Sequence, residues 1–191
     1  MAHENLDNQN TLYINVKTFY FFYKIVPYEI NHVKIITYNM TIIVALLDSD
    51  GVIHMGGDSS ASNDTDAIDI CGNEKIFHSY SYMYGICGSF RVMNIIRYIF
   101  DPPAFTWYDN DTPMHFMVQC FVPMLIKVLR SNKTLEKDNN VVSMDATMIV
   151  GFQGNLFAVD SDFQVRQLPP ENFFAIGSGA EAAKGDRKSV V

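Results

Sequence analysis

The sequence is poor in several features that commonly announce a function. Its three cysteines, Cys71, Cys87 and Cys120, lie far apart and form no CxxC pair. That excludes a disulfide framework and a zinc site of ordinary spacing, and it points to a reducing cytoplasmic setting. Positive charge is scarce: 14 Lys and Arg against 21 Asp and Glu leave a formal net charge of −7. With no basic block anywhere, a nucleic-acid partner is excluded, because holding a phosphate backbone needs a positive patch. No apolar run approaches the roughly 18 residues of a membrane-spanning helix, so no membrane partner is expected. The first residues, Met1 to Asn5, lack the basic start of a signal peptide. The five histidines, His3, His32, His54, His78 and His115, have no metal-ligand spacing. Neither a metal nor another cofactor is expected.

What is present is one globular domain's worth of chain. A length of 191 residues, 48% hydrophobic and 18% charged, is enough to bury a core without staples. Residues 1–39 differ from the rest. They contain no glycine, carry an aromatic clump at Phe19-Tyr20-Phe21-Phe22-Tyr23, and follow neither a helical nor a strand period. Four readings are open: translated sequence upstream of a start at Met40, which is favoured, a propeptide, an extra strand or helix, or an interfacial anchor. The anchor is disfavoured because only Lys17, Lys24 and Lys34 could face a lipid surface.

From Met40 the pattern becomes ordered. Residues 41–47 are β-branched and continuous, as in a strand buried on both faces. Asp48-Ser49-Asp50-Gly51 supplies a turn, and residues 52–55 return toward Gly56, Gly57 and Asp58. A polar loop over 59–72 is broken by Ala67 and Ile68. Residues 75–78 and 80–86 read as a second pair of strands. Gly88 opens a helix with Phe90, Met93, Asn94, Ile96 and Arg97 at helical spacing, stopped by Asp101-Pro102-Pro103. Asp111-Thr112-Pro113 starts a longer helix to about Asn132, with a kink or break at Pro123. Its Met and aromatic residues are core or subunit-interface material. A charged loop over 133–140 precedes a hairpin, 146–152 and 156–159, around Gln153-Gly154-Asn155. Strands at 165–168 and 173–176 follow, then Gly177-Ser178-Gly179 and a helix from Ala180. Strands, two helices, strands and a helix imply two sheets, or one large one, with helices outside.

Residues 186–191 match the frame translation of a short-read sequencing adapter. The natural protein is therefore expected to continue beyond about Gly185, leaving 40–185 as an incomplete domain; the disfavoured alternative is a disordered charged tail.

Several pieces stand in a fixed order: Met40-Thr41-Ile42-Ile43-Val44-Ala45-Leu46, Gly51-Val52-Ile53, Gly56-Gly57-Asp58-Ser59, Lys75-Ile76-Phe77, Gly85-Ile86-Cys87-Gly88-Ser89-Phe90-Arg91, and Ala175-Ile176-Gly177-Ser178-Gly179. In this order and spacing, residues 40–184 resemble the proteasome β-subunit and HslV family of N-terminal-nucleophile hydrolases, particularly the proteasome-like proteins of bacteria and phages. The resemblance implies an α+β fold, a four-layer αββα sandwich, here truncated at its C-terminus. It also implies a threonine-type peptidase acting on peptide or protein substrates within a homo-oligomeric ring. An ATPase partner is left open. Two alternatives stand beside this reading: a non-catalytic structural or regulatory subunit of the same fold, and an amidase for small amides.

The chemistry explains why these residue types are needed. A threonine hydroxyl is a weak nucleophile without a nearby base. A free α-amine, with a pKa near ~8, is partly neutral at physiological pH and sits on the same residue. Thr41 therefore matters only once the bond to Met40 is cut. The resemblance assigns Lys75 as a fixed positive charge that favours the neutral amine and the developing alkoxide. It assigns Asp58 to orient Lys75, the Gly88 N–H to the oxyanion, and Ser178 to position the Thr41 amine. Taken alone, Thr41 would be an ordinary strand residue, Asp58 and Lys75 a surface ion pair, and Gly88 and Ser178 helix caps. Two departures from the family pattern are visible. The interval from Thr41 to Asp58 is one residue longer than usual, and Ile42 replaces a second Thr. Met40 resembles an initiator methionine, which an aminopeptidase removes before a residue as small as Thr. His54, on the return strand, is read as structural.

Overall fold

The structure, a computed structural model, describes residues 17–20, 41–58, 60–62, 68–70, 74–105, 112–138 and 141–186. Met40, Cys71, Trp107 and Asp111 lie outside them, as do most of 1–39 and residues 187–191. A short strand, β1 (Lys17–Tyr20), comes from the N-terminal stretch. The hairpin then forms β2 (Ile43–Leu47) and β3 (Ile53–Gly57). Two three-residue strands, β4 (Ser60–Ser62) and β5 (Ile68–Ile70), pair where the sequence suggests a loop. Next come β6 (Ile76–Ser79), β7 (Tyr82–Gly88) and the helix α1 (Phe90–Tyr98).

The long helical segment is α2 (Pro113–Phe116), a π-helical turn at Met117–Phe121, and α3 (Val122–Ser131). Thr112 caps it, its Oγ1 accepting from the His115 N–H at 3.1 Å. The irregularity predicted at Pro123 falls just before it. Proline has no N–H to offer the preceding turn, and a π turn relocates the unmatched carbonyls. Strands β8 (Leu135–Asp138) and β9 (Val141–Met144) pair across a stretch expected to be a loop. The chain continues through β10 (Ala146–Phe152), β11 (Asn155–Val159), β12 (Val165–Leu168), β13 (Phe173–Ile176) and α4 (Ala180–Asp186).

One sheet has the order β1-β3-β2-β13 and the other β12-β11-β10-β7-β6. Their facing sides share one apolar cluster, with Ile43, Ala45, Ile53, Met55 and Ile176 from the first meeting Met83, Cys87, Ile149, Leu156 and Ala158 from the second. Gly85 on β7 is where they approach most tightly. A Cβ there would stand 2.6 Å from both Ile43 Cγ2 and Met55 Sδ, so only glycine fits without displacing them. The other face of the five-stranded sheet carries Tyr82, Tyr84, Ile86, Met148, Val150, Phe152 and Phe157. These pack under α1 and the 113–131 helical segment. Tyr82 stacks on Phe152 at 4.5 Å between centroids, and its hydroxyl donates to the Pro103 carbonyl at 2.6 Å. The ring is thereby buried without an orphaned donor.

Strand β2 differs from expectation. Its burial alternates, with Ile43, Ala45 and Leu47 buried and Val44 and Leu46 only half-buried. The first sheet is covered on its inner face, and α4 packs against it at β13 and β2. Among the described residues, no helix is long and apolar enough to cross a membrane.

Candidate functional site

Strand pairing brings the site together from four separate segments. In the β2–β3 ladder Ile43 lies opposite Gly57, so Thr41, Ile42 and Asp58 meet at one end of the hairpin. The Ile42 N–H donates to Asp58 Oδ1 at 2.7 Å, and the Asp58 N–H donates to the Ile42 carbonyl at 3.2 Å. Lys75 stands just before β6, which opens the edge of the other sheet. Its Nζ reaches across to Asp58 Oδ2 at 2.8 Å and to Thr41 Oγ1 at 3.0 Å. Lys75 is 4% exposed, the only buried charged residue among those described. A cation so placed carries a large desolvation cost, offset here by one carboxylate and one hydroxyl. The sequence alternative of an incidental surface pair does not describe it.

The turn after β13 supplies the fourth segment. Because Ile176 pairs with Ile43, residues 177–179 arrive beside Thr41. The Thr41 N–H donates to Ser178 Oγ at 3.0 Å, and the Gly179 N–H donates to the Thr41 carbonyl at 3.1 Å. Gly177, at φ +97, comes so close that a Cβ would lie 2.2 Å from the Thr41 carbonyl oxygen. Ser178 therefore does more than precede a helix: it holds the Thr41 backbone nitrogen. In the uncut chain that nitrogen is a peptide amide, a donor and not a base.

Gly88 is the last residue of β7 rather than the first of a helix, and Ser89 takes the cap position of α1. Gly88 has φ +106, and a Cβ would stand 2.5 Å from the Asp145 carbonyl oxygen. The Ser89 N–H donates to that same carbonyl at 2.7 Å, and the Ile86 N–H donates to the Lys75 carbonyl at 3.0 Å. In an antiparallel ladder these bonds alternate in direction. The Gly88 N–H is thus directed away from β10, to the side on which Lys75 and β6 lie.

Cys87, to which the sequence assigns no role, lies beside this cluster. Its sulfur would be 3.0 Å from a Cβ on Gly177. Burial pushes its thiol up to about 12, nearby Asp58 adds to the shift, and Lys75 opposes it. It is a neutral thiol here, and a residue known only by its place in a strand gives no sequence signal of that contact. His54 is structural, its Nε2 lying 2.7 Å from Asp48 Oδ2 in the hairpin turn. Among the described residues no three of His, Cys, Asp and Glu converge to hold a metal ion.

The sequence matches no protein-family model and no curated protein. Solved structures are similar in fold. Thiobacillus denitrificans BPH superposes with a TM-score of 0.62 at 20% identity, over 78% of each chain. The same protein in complex with epoxomicin gives 0.59 at 19%, again over 78% of each. Anbu, an ancestral β-subunit from Yersinia bercovieri, gives 0.52 at 16%, over 79% of this chain and 66% of that one. The chain has the proteasome-like N-terminal-nucleophile hydrolase fold.

Proposed function

We propose that the protein is a proteasome-like amide hydrolase in which Thr41 becomes the nucleophile once the bond from Met40 is cut. The observation that carries the reading is the convergence on Thr41 of Lys75 Nζ at its hydroxyl and Ser178 Oγ at its nitrogen. Each contact suits a different part of an N-terminal threonine's chemistry.

The freed amine takes the hydroxyl proton, directly or through one water, and Oγ1 attacks the substrate carbonyl. Lys75 offsets the charge on Oγ1 as the proton leaves, while Asp58 holds the ammonium in place. The Gly88 N–H donates to the carbonyl oxygen as it becomes an oxyanion. The amine returns its proton to the departing amine, leaving an ester on Thr41. Water, deprotonated by the same amine, then hydrolyses that ester and restores the site. The substrate is a peptide or protein chain. The working form is a cytoplasmic homo-oligomeric ring of αββα subunits, with α4 beginning the fourth layer.

The test uses the full chain with a protease recognition sequence ending immediately before Thr41. After cutting, epoxomicin, whose epoxyketone reacts with a hydroxyl and an amine together, should add once per chain by intact mass. Uncut protein and the Thr41→Ala variant should add none. An unmodified cut protein would point to a non-catalytic subunit instead. Faster turnover of small amides than of peptides would point to an amidase.

A further inference from the structure

The 177–179 turn is clamped from two sides. Above it, Thr41 is bonded through its nitrogen to Ser178 and through its carbonyl to Gly179. Below it, the Cys87 sulfur lies beside Gly177, 3.0 Å from where a Cβ on that residue would stand, at a position with no room for any side chain. The same side chain packs in one buried cluster with Ile43 of β2. Cys87 is 6% exposed and belongs to the cluster between the sheets, with Ile43 and Ile176. One side chain on β7 thus lies between β2 and the turn that follows β13, while the next residue along β7 is Gly88. The nucleophile belongs to one sheet and the oxyanion donor to the other. Their separation depends on what fills the space between the sheets at this point.

We propose that Cys87 is a positioning residue, a spacer that bears on Gly177 and so sets where Thr41 sits relative to Gly88 and Lys75. The inference rests on the reading of Thr41 as nucleophile for its catalytic consequence, but the clamp can be measured without catalysis. Sulfur suits the place because it is larger than a hydroxyl and, as a neutral thiol, adds no charge beside Lys75. Cys87→Ala removes the spacer, Cys87→Ser restores part of it, and Leu156→Ala opens the same inter-sheet cluster on β11, away from the turn.

Amide hydrogen exchange on the full 191-residue chain reads the clamp at the Thr41 and Gly179 N–H groups, relative to amides of β10 and β11. Cys87→Ala should speed exchange at those two amides about tenfold more than in β10 and β11, with Cys87→Ser intermediate. Leu156→Ala should lower the melting temperature without that local excess. In cut protein, Cys87→Ala should slow epoxomicin addition by roughly tenfold, since sub-ångström misplacement of reacting groups is costly. Exchange at Thr41 and Gly179 that merely follows the rest of the molecule would overturn the proposal. Local loosening in a protein that epoxomicin never modifies would uphold the spacer and overturn the nucleophile.

Discussion

The hairpins β2–β3 and β10–β11 are built to one recipe and used in opposite ways. Each is an apolar strand, a tight turn closed by glycine, and an apolar return. In β10–β11 nearly every residue is buried on both faces, because the other sheet covers one side and the helices the other. In β2–β3 only the inner face is fully covered. Its open end carries the polar cluster around Thr41 and Asp58, and its turn is tied by Asp48. Asp48 Oδ1 accepts from the Asp50 and Val52 N–H groups at 3.0 and 2.8 Å. One hairpin contributes area, and the other contributes directed hydrogen bonds. A polar end of this kind depends on partners from other segments, since Lys75 and Ser178 are not part of the hairpin at all.

Four measurements press on that contrast. Lys75→Met should reduce the rate of epoxomicin addition to cut protein by about 100-fold or more, as removal of a charge-stabilising donor does elsewhere. An unchanged rate would reduce the polar cluster to a structural ion pair. Phe157→Ala, at a fully buried position of β11, should cost about 3–5 kcal/mol in urea unfolding, the range for emptying a packed aromatic site. Leu46→Ala, half-buried on β2, should cost well under half of that. Equal costs would mean that the outer face of β2 is as firmly covered as β11.

The two turns should behave alike. Gly51 has φ +76 and Gly154 has φ +68, and a Cβ at either meets nothing within 4 Å. Gly51→Ala and Gly154→Ala should therefore each cost only the backbone strain of about 1–2 kcal/mol. A much larger loss at one of them would reveal a contact specific to that turn.

The smallest effect is acid sensitivity. The hydrogen bond from His54, followed by the Val52 N–H, holds the Asp48 carboxyl below its usual 3.8. A depressed folded-state value means that the stabilisation is complete above the unfolded pKa. It is lost as pH falls below 3.8 and through the lower folded-state value. Urea midpoints measured from pH 5 downward should fall less steeply for Asp48→Asn than for the unsubstituted chain. Parallel curves would show that the carboxylate does not secure the turn.

Much of this architecture was legible from local signals. Continuous apolar runs and turn chemistry located both hairpins, and Thr112-Pro113 located the start of the second long helix. What local signals missed has a common cause. The strands of the β4–β5 and β8–β9 pairs are three or four residues long, too short for a period to register. The double burial expected for β2 proved single, because an apolar run reads alike whether one or two layers cover it. Glycine at position 88 suits a helix cap as well as a strand end, and its pairing opposite Ala146 in the β7–β10 ladder separates the two.

For the site, the order Thr41, Asp58, Lys75, Gly88, Ser178 was readable along the chain, as was the chemistry each residue type can perform. The convergence of Lys75, Asp58 and Ser178 around Thr41 was not. Ser178 lies 137 residues from Thr41 and reaches it because β13 pairs with β2 in one register. A shift of a single residue would turn every side chain of the strand to the other face. Propensity and turn chemistry act between neighbours in sequence, so they set which segments become strands. Register and sheet packing follow from burying two faces at once. They alone place Lys75 beneath Thr41, and the Cys87 sulfur against Gly177.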